Sequence, residues 1–471
     1  MPDIADFRTT TVEELAAQVA GGACSAADLT EAALARISDH DGELNSFVAV
    51  DAAGARAQAA ALDERLAKGD DIGPLAGIPI GVKDLEDAAG FQTVRGAMHL
   101  KDSPVVAADS VEVRRLRAAG CVVIGKTNTP EFGWIGDTFN PVFGTTRNPW
   151  NLQRSPGGSS GGTSAALAGG LVPLATGSDG GGSIRIPSAL TALSGLKPAQ
   201  GRIPAGPTPL GAADLATLGP MARRIRDVAL ALDVVVGPDP SDLRSLPAVE
   251  GSFRRVCDDP RPPRRLLWCP SVEGSPVDDE IREVVEAAVD QMRDEGVEVI
   301  ESGPVFEQQR GRSFLALFFG SMLPGYAEVI GTDAYDEVTP GLRAMLDSAL
   351  PLVNVNSVED ARKVAQAMSI ELAAAMEGFD ALITPTTVGQ TPRCGEEGTV
   401  NGEQTPMWIA ATPSFNMTRR PAGTTCAGFV SDHMPVGLQV VGHQLADLRT
   451  IELTAWAEDL LGLDPIAPFP V

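Results

Sequence analysis

An α/β fold, with helices flanking a central and largely parallel sheet, is what this sequence predicts. Three observations carry the prediction. Short apolar runs alternate along the chain with stretches of helical periodicity. Glycines stand at the junctions between the two. The 471 residues are 44% hydrophobic and 21% charged, which is ordinary for a globular protein with a sizeable core.

The elements follow in chain order. Thr11 with Glu14, and Ser25 with Asp28, have the spacing of capping boxes. The second opens a helix with Leu29, Ala33, Leu34 and Ile37 on one face, so residues 1–70 read as helical. "GIPIGVKD" (77–84) and "CVVIGKTN" (121–128) read as buried strands, with the helical "SVEVRRLRAAG" between them. "SSGGTSAALAGG" passes into a small-residue helix stopped by Gly169 and Gly170. "LVPLATG" then reads as a short strand, "SDGGGS" as the turn after it, and Pro187 suits the first turn of the next helix. "DDPRPPRR" (258–265) is the clearest surface linker. Beyond it come the strand "RLLWCPS", a helix with Ile281, Val284, Val285, Ala288 and Met292 in register, a glycine stop and a strand. "FDALITPTT" (379–387) is a further strand, and "GLQVVGHQ" the end of another. No internal repeat or low-complexity segment appears. The chain is expected to form a single domain, 1–471, with a helical segment (1–70), a glycine-rich central part (71–205) and a part completing the sheet (206–471).

The net charge of −25 argues against nucleic acid and anionic membrane surfaces as partners. Cys24, Cys121, Cys257, Cys269, Cys394 and Cys426 form no CxxC pair and no zinc spacing, so no metal site is expected. Scattered cysteines and an N-terminus without an apolar leader segment read as a reduced, cytoplasmic protein. The longest apolar run, "VALALDVVVG", is too short to span a membrane and is interrupted by Asp233.

The stretch "GSDGGGSIRIP" (177–187) follows a second glycine–serine cluster, "SPGGSSGGTS" (155–164). The apolar elements between them speak against a flexible linker. A phosphate loop lacks GxxxxGK[ST] and leaves the serines idle. Glycines at such junctions let backbone N–H groups approach a ligand and form an anion-binding nest. "GGSSGG" also satisfies G-x-S-x-G about Ser159 or Ser160. A nucleophile elbow would then need a later histidine, and only His433 and His443 follow. Lysine is a second candidate base. Lys83 ends the apolar strand "GIPIGV", where a charged amine is costly unless paired. Lowering its pKa from about 10.4 to 7–8 takes on the order of 3–4 kcal/mol and makes it a competent general base. The alternatives are a lysine reaching solvent from the strand end, or one paired with Asp84.

At this point "LAGIPIGVKD" (75–84), "GKTNTPEFG" (125–133), the block 148–204, "FDALITPT" (379–386) and "MPVGLQVVG" (434–442) resemble the amidase signature family, in that order. The resemblance runs from about residue 11 to about residue 465. It implies an α/β/α sandwich with a central mixed sheet flanked by helices, and a Ser–cis-Ser–Lys triad needing no cofactor. By motif position, Ser183 is then the nucleophile, Ser159 the bridging cis-serine and Lys83 the base. The N–H groups of Gly180, Gly181, Gly182 and Ser183 would form the oxyanion hole, with Asp179, Arg185 and Ser160 in support. Lys126 is read as supporting the adjacent loop. Phe132, Trp134, Phe143 and Trp150 are read as packing residues, with an acyl pocket as the alternative.

Three departures stand out. Gly180 occupies a place where the family often has Thr or Ile, which should loosen the loop slightly. Ile186 follows Arg185 where tRNA-dependent amidotransferase subunits of the family usually have Gln. Arg419 and Arg420 interrupt the stretch after "FN" and are candidates to shape the substrate entrance. The expected activity is hydrolysis of a small carboxylic amide, of aliphatic, aryl or anilide type, with ester or carbamate (urethanase) turnover accessible to the same chemistry. The expected assembly is a monomer or homodimer. The competing readings are a glutaminase subunit of an amidotransferase, a Ser-His-Asp esterase and a non-catalytic anion-binding protein that uses the nest alone.

Overall fold

The computed structural model describes residues 6–208, 214–306 and 310–470. Met1–Ala5, the start of the segment read as lacking a leader, lie outside them.

Both capping boxes form. The Thr11 hydroxyl accepts from the Glu14 N–H and the Glu14 carboxylate accepts from the Thr11 N–H, opening helix α1 (Val12–Ala20). Ser25 and Asp28 do the same for α2 (Ala26–Leu44). Such a cap is worth about 1 kcal/mol. Strand β1 (Phe47–Val50), α3 (Ala52–Ala67), β2 (Pro79–Lys83), α4 (Val111–Ala118) and β3 (Val122–Thr127) follow. Next come a two-strand hairpin, β4 (Phe139–Asn140) and β5 (Gly144–Thr145), then α5 (Gly161–Ala168), β6 (Leu174–Asp179) and α6 (Arg185–Leu190). β7 (Ser194–Lys197), β8 (Thr217–Ala222), α7 (Ile225–Val235), α8 (Phe253–Val256) and β9 (Arg265–Trp268) lead into α9 (Asp279–Asp294) and β10 (Glu298–Glu301). The helices α10 (Gly311–Met322), α11 (Pro340–Ala349) and α12 (Val355–Ala375) precede β11 (Ala381–Pro385). A small hairpin, β12 (Thr399–Val400) and β13 (Glu403–Gln404), and α13 (Pro413–Met417) precede β14 (Ala422–Phe429), β15 (Pro435–Val441) and α14 (Asp447–Leu461).

Eleven strands make one sheet, in the order β1-β3-β2-β6-β8-β7-β14-β15-β11-β9-β10. It is mixed, not largely parallel. Strand β2 runs parallel to β3 and β6, and β9 parallel to β10 and β11; every other pairing in it is antiparallel. Long helical crossovers produce the parallel pairs, whereas the short turn between β14 and β15 forces an antiparallel one.

Strands β2, β3 and β6 are buried along their whole length, which is why their sequences read as continuous runs. One core packs Leu29, Ile80, Val123, Leu174 and Leu232. A second, under α10–α12, gathers Phe319, Leu342, Leu372 and Phe415. A third packs Val285, Val289 and Leu453 on Trp268. The three parallel strands β2, β3 and β6 end in Lys83, Thr127 and Asp179, and the crevice beyond such ends is where α/β sheets place their ligands.

Candidate active site

Lys83 is the last residue of β2 and is 1% exposed. Its backbone N–H donates to the Thr176 hydroxyl (3.0 Å) on neighbouring β6, which fixes the strand end. Its Nζ lies 2.8 Å from Ser159 Oγ, 2.8 Å from Ser160 Oγ and 3.0 Å from Ser178 Oγ. Burial pushes the amine down to about 7, against the attraction of Asp179 and Glu86. At neutral pH a large fraction of the amine therefore carries a lone pair, within reach of a serine proton.

Ser159 precedes α5, and the Gly158–Ser159 peptide bond is cis. A Cβ on Gly158 would meet the carbonyl oxygens of Ile135 and Asp137 at 2.7 Å, so only glycine fits before the serine. Ser160 N–H donates to the Ser183 carbonyl (3.2 Å), which joins the two glycine–serine loops. Lys83, Ser159 and Ser160 are buried, whereas Gly180, Gly181 and Ser183 are half-buried. The lysine is therefore shielded from solvent, whereas Ser183 is partly accessible.

The loop 180–183 is shaped by Asp179. Its carboxylate accepts from the Gly182 N–H (2.7 Å) and the Ile184 N–H (3.2 Å). It also takes the Arg185 guanidinium through Nε (2.9 Å) and NH2 (2.9 Å). Arg185 in turn reaches Gln439 Oε1 (2.6 Å), Asn416 Oδ1 (2.7 Å) and the Thr412 carbonyl (3.1 Å). Asn416 Nδ2 returns a bond to the Asp179 carboxylate (2.8 Å). Burial pushes the Asp179 carboxyl up, but Arg185, Lys197 and Asn416 outweigh it and hold the group well below the usual carboxylate range. Gly182 sits at φ +127°, and a Cβ there would strike Thr412 Oγ1 at 2.3 Å. With the Gly182 N–H taken by Asp179, the N–H groups of Gly180, Gly181 and Ser183 are those with no acceptor among the described residues.

A buried amine, bonded serines and a nest of free N–H donors are the parts needed to activate a hydroxyl and hold an oxyanion. The family model described as Amidase matches residues 28–451. The chain belongs to the amidase signature family. It is 35% identical to an acylamidase of Rhodococcus erythropolis over 94% of this chain and 93% of that protein. It is 33% identical to a glutamyl-tRNA(Gln) amidotransferase component from Thioalkalivibrio sulfidiphilus, over 94% and 95%. The solved structure of a bacterial aryl acylamidase of the amidase signature family superposes with a TM-score of 0.88 at 28% identity, covering 98% of this chain and 99% of that one. The amidase is accordingly a hydrolase of carbon–nitrogen bonds in amides.

Other side chains of the amidase that the sequence singled out fall outside this set. Lys126 Nζ bonds the Asp84 carboxylate (3.1 Å), the Glu86 carbonyl (2.7 Å) and the Thr93 hydroxyl (3.2 Å), tying down the loop after β2. His443 Nε2 meets the Phe379 carbonyl (2.7 Å), and His433 is exposed in the turn between β14 and β15. Neither is a partner of Ser160, whose hydroxyl bonds Lys83 and the Ser178 carbonyl (3.3 Å). Phe132 and Trp134 flank Gly133, where a Cβ would lie 2.9 Å from Ser159 Oγ, so both are neighbours of the site. Phe143 lines a separate cavity of about 410 Å³ with Asp84 and Lys126, and Trp150 packs on Phe429. Arg419 reaches Asp214 (3.6 Å), and Arg420 is buried.

Ser178, Thr412, Asn416 and Gln439 were not singled out from the sequence. Gln439 had a signal: an amide in the middle of "PVGLQVV" on a strand buried at every position needs a polar partner. No described helix is long and apolar enough to cross a membrane. None of the six cysteines is paired in a disulfide.

Proposed function

We propose that the amidase hydrolyses a small carboxylic amide, of aliphatic, aryl or anilide type, through an acyl-enzyme on Ser183. The observation that carries this reading is the buried Lys83 amine 2.8 Å from the Ser159 hydroxyl, next to the half-buried Ser183 whose carbonyl accepts the Ser160 N–H. Neutral Lys83 takes the Ser159 proton as Ser159 takes that of Ser183. The Ser183 oxygen attacks the amide carbonyl, and the oxyanion rests on the N–H groups of Gly180, Gly181 and Ser183. Loss of one such donor typically costs about 3–4 kcal/mol of transition-state stabilisation. The proton returns from the Lys83 ammonium through Ser159 to the leaving nitrogen, and the C–N bond breaks. Water then adds to the acyl-enzyme by the same relay and releases the acid.

The relatives named acylamidase and aryl acylamidase support acylated amines and anilides as the substrate class. Glutaminase activity within an amidotransferase is the competing reading, supported by the amidotransferase relatives. Ile186 after Arg185, and the net charge of −25 on a protein that would serve a tRNA, count against it. The purified chain, given acetanilide, aliphatic amides, a carbamate and glutamine, is expected to release amine or ammonia from the simple amides. Turnover of glutamine alone would overturn the reading. The pH profile carries a sign. Lys83 accepts a proton only when neutral, so kcat/KM should be low below about pH 7, rise through it and level off above.

A further inference from the structure

Glu86 and Glu112 are two buried acids that the reaction as described leaves unused. Glu86 follows β2 three residues after Lys83 and is 6% exposed; Glu112 lies in the first turn of α4 and is fully buried. Glu86 Oε1 accepts from Ser110 Oγ (2.6 Å), the residue that caps α4. Thr176, whose hydroxyl accepts the Lys83 N–H, also favours the ionised form of Glu86. Three oxygens are left over: Glu86 Oε2 and both of Glu112 are buried and meet no protein donor among the described residues. Ser110 ties Glu86 to the start of α4, where Glu112 lies two residues on, and the two acids act on each other.

Two carboxylates in contact and away from water cannot both be ionised. One proton between them supplies the missing donor and turns the repulsion into a charge-assisted hydrogen bond. We propose that Glu86 and Glu112 form an acid–carboxylate pair that keeps one proton at neutral pH, with its single negative charge on Glu86 acting on Lys83 as a positioning group. Burial and the neighbouring acid both push Glu112 up, which assigns the proton to it. Burial pushes Glu86 up as well, and Asp87 adds to it, while Ser110, Thr176 and the Lys126 ammonium favour its ionised form; Glu112 has no such partner among the described residues, so the charge rests on Glu86. Arg95 and Asp87 line a small cavity with Glu86. Asp179, on β6, is the other anion acting on Lys83, and Glu86 adds to it. The pair therefore makes the amine more basic than burial alone would leave it.

This proposal rests on Lys83 being the general base, and the test separates the two claims. The infrared spectrum of the protein at pH 8, with ¹³C-glutamate labelling, should contain the carbonyl band of a protonated glutamic acid. Glu112→Gln should remove that band while its amide still donates to Glu86. Its acidic limb of kcat/KM should stay in place. Glu86→Gln removes the charge or moves it to Glu112, and should shift that limb to lower pH by about half a unit or more. Absence of a band lost in Glu112→Gln would overturn the shared proton, whatever Lys83 does. A limb unmoved in Glu86→Gln would overturn the action on Lys83. Should Glu86→Gln not fold, Glu112→Leu, which removes the donor, gives the second reading: its limb must differ from that of Glu112→Gln. Full activity in Lys83→Ala would instead sink the assignment of the base and leave the infrared result standing.

Discussion

Replacing Lys83 with alanine should lower kcat/KM by about 10³–10⁴-fold or more and leave the fold intact. The loss is large because a serine hydroxyl is a weak nucleophile without a base, and Lys83 is the amine bonded to Ser159. The fold survives because the variant removes a buried ionisable group whose desolvation opposed folding. The Ser160 hydroxyl keeps the Ser178 N–H and carbonyl as partners. Lys83→Arg should be no better, since a guanidinium does not deprotonate at working pH. Steady-state kinetics beside circular dichroism checks both halves. Near-normal turnover in Lys83→Ala, with loss in His433→Ala or His443→Ala, would favour the histidine esterase.

Arg185→Met carries the largest expected effect on stability, about 3–5 kcal/mol. Arg185 and Asp179 are both fully buried, and the guanidinium is held by Asp179, Asn416, Gln439 and the Thr412 carbonyl together. Methionine has similar volume but strands the Asp179 carboxylate and three acceptors. A lysine at this position would satisfy few of these partners, because it lacks the planar fork. The sign with pH follows from Asp179. Its folded pKa lies below its unfolded one, so this stabilisation is present above the ordinary carboxylate pKa and fades as acid is added. The variant should show a lower urea midpoint near neutrality, with the gap to wild type closing towards acid pH. Activity should fall too, since Asp179 holds the Gly182 N–H and shapes the loop of free donors.

The parts of the site that were legible in the sequence are those whose chemistry is local. Lys83 at the end of an apolar run asks for a partner, and the glycines around Ser159 and Ser183 ask for a close approach of backbone. Thr11, Glu14, Ser25 and Asp28 announced helix starts because a cap is decided within four residues. The sense of the strands was not legible. An apolar run such as "LVPLATG" states burial but not direction, and the partners of β6 and β7 are set by β8 and by a hairpin at 422–441. The engagement of the Gly182 N–H was hidden as well. Glycine spacing shows that donors exist, but only the placement of Asp179 shows which of them is already bonded. Glu86 and Glu112 read as ordinary acids, one in a turn and one at a helix start. Their contact depends on α4 packing beside the end of β2, which no local pattern records.

Active-site labelling tests the central claim most directly. The protein is treated with a fluorophosphonate at neutral pH, digested, and the modified peptide located by mass spectrometry, with Lys83→Ala alongside. The account predicts the label on Ser183, fading in the lysine variant. A label on Ser160 that is indifferent to Lys83 would contradict it.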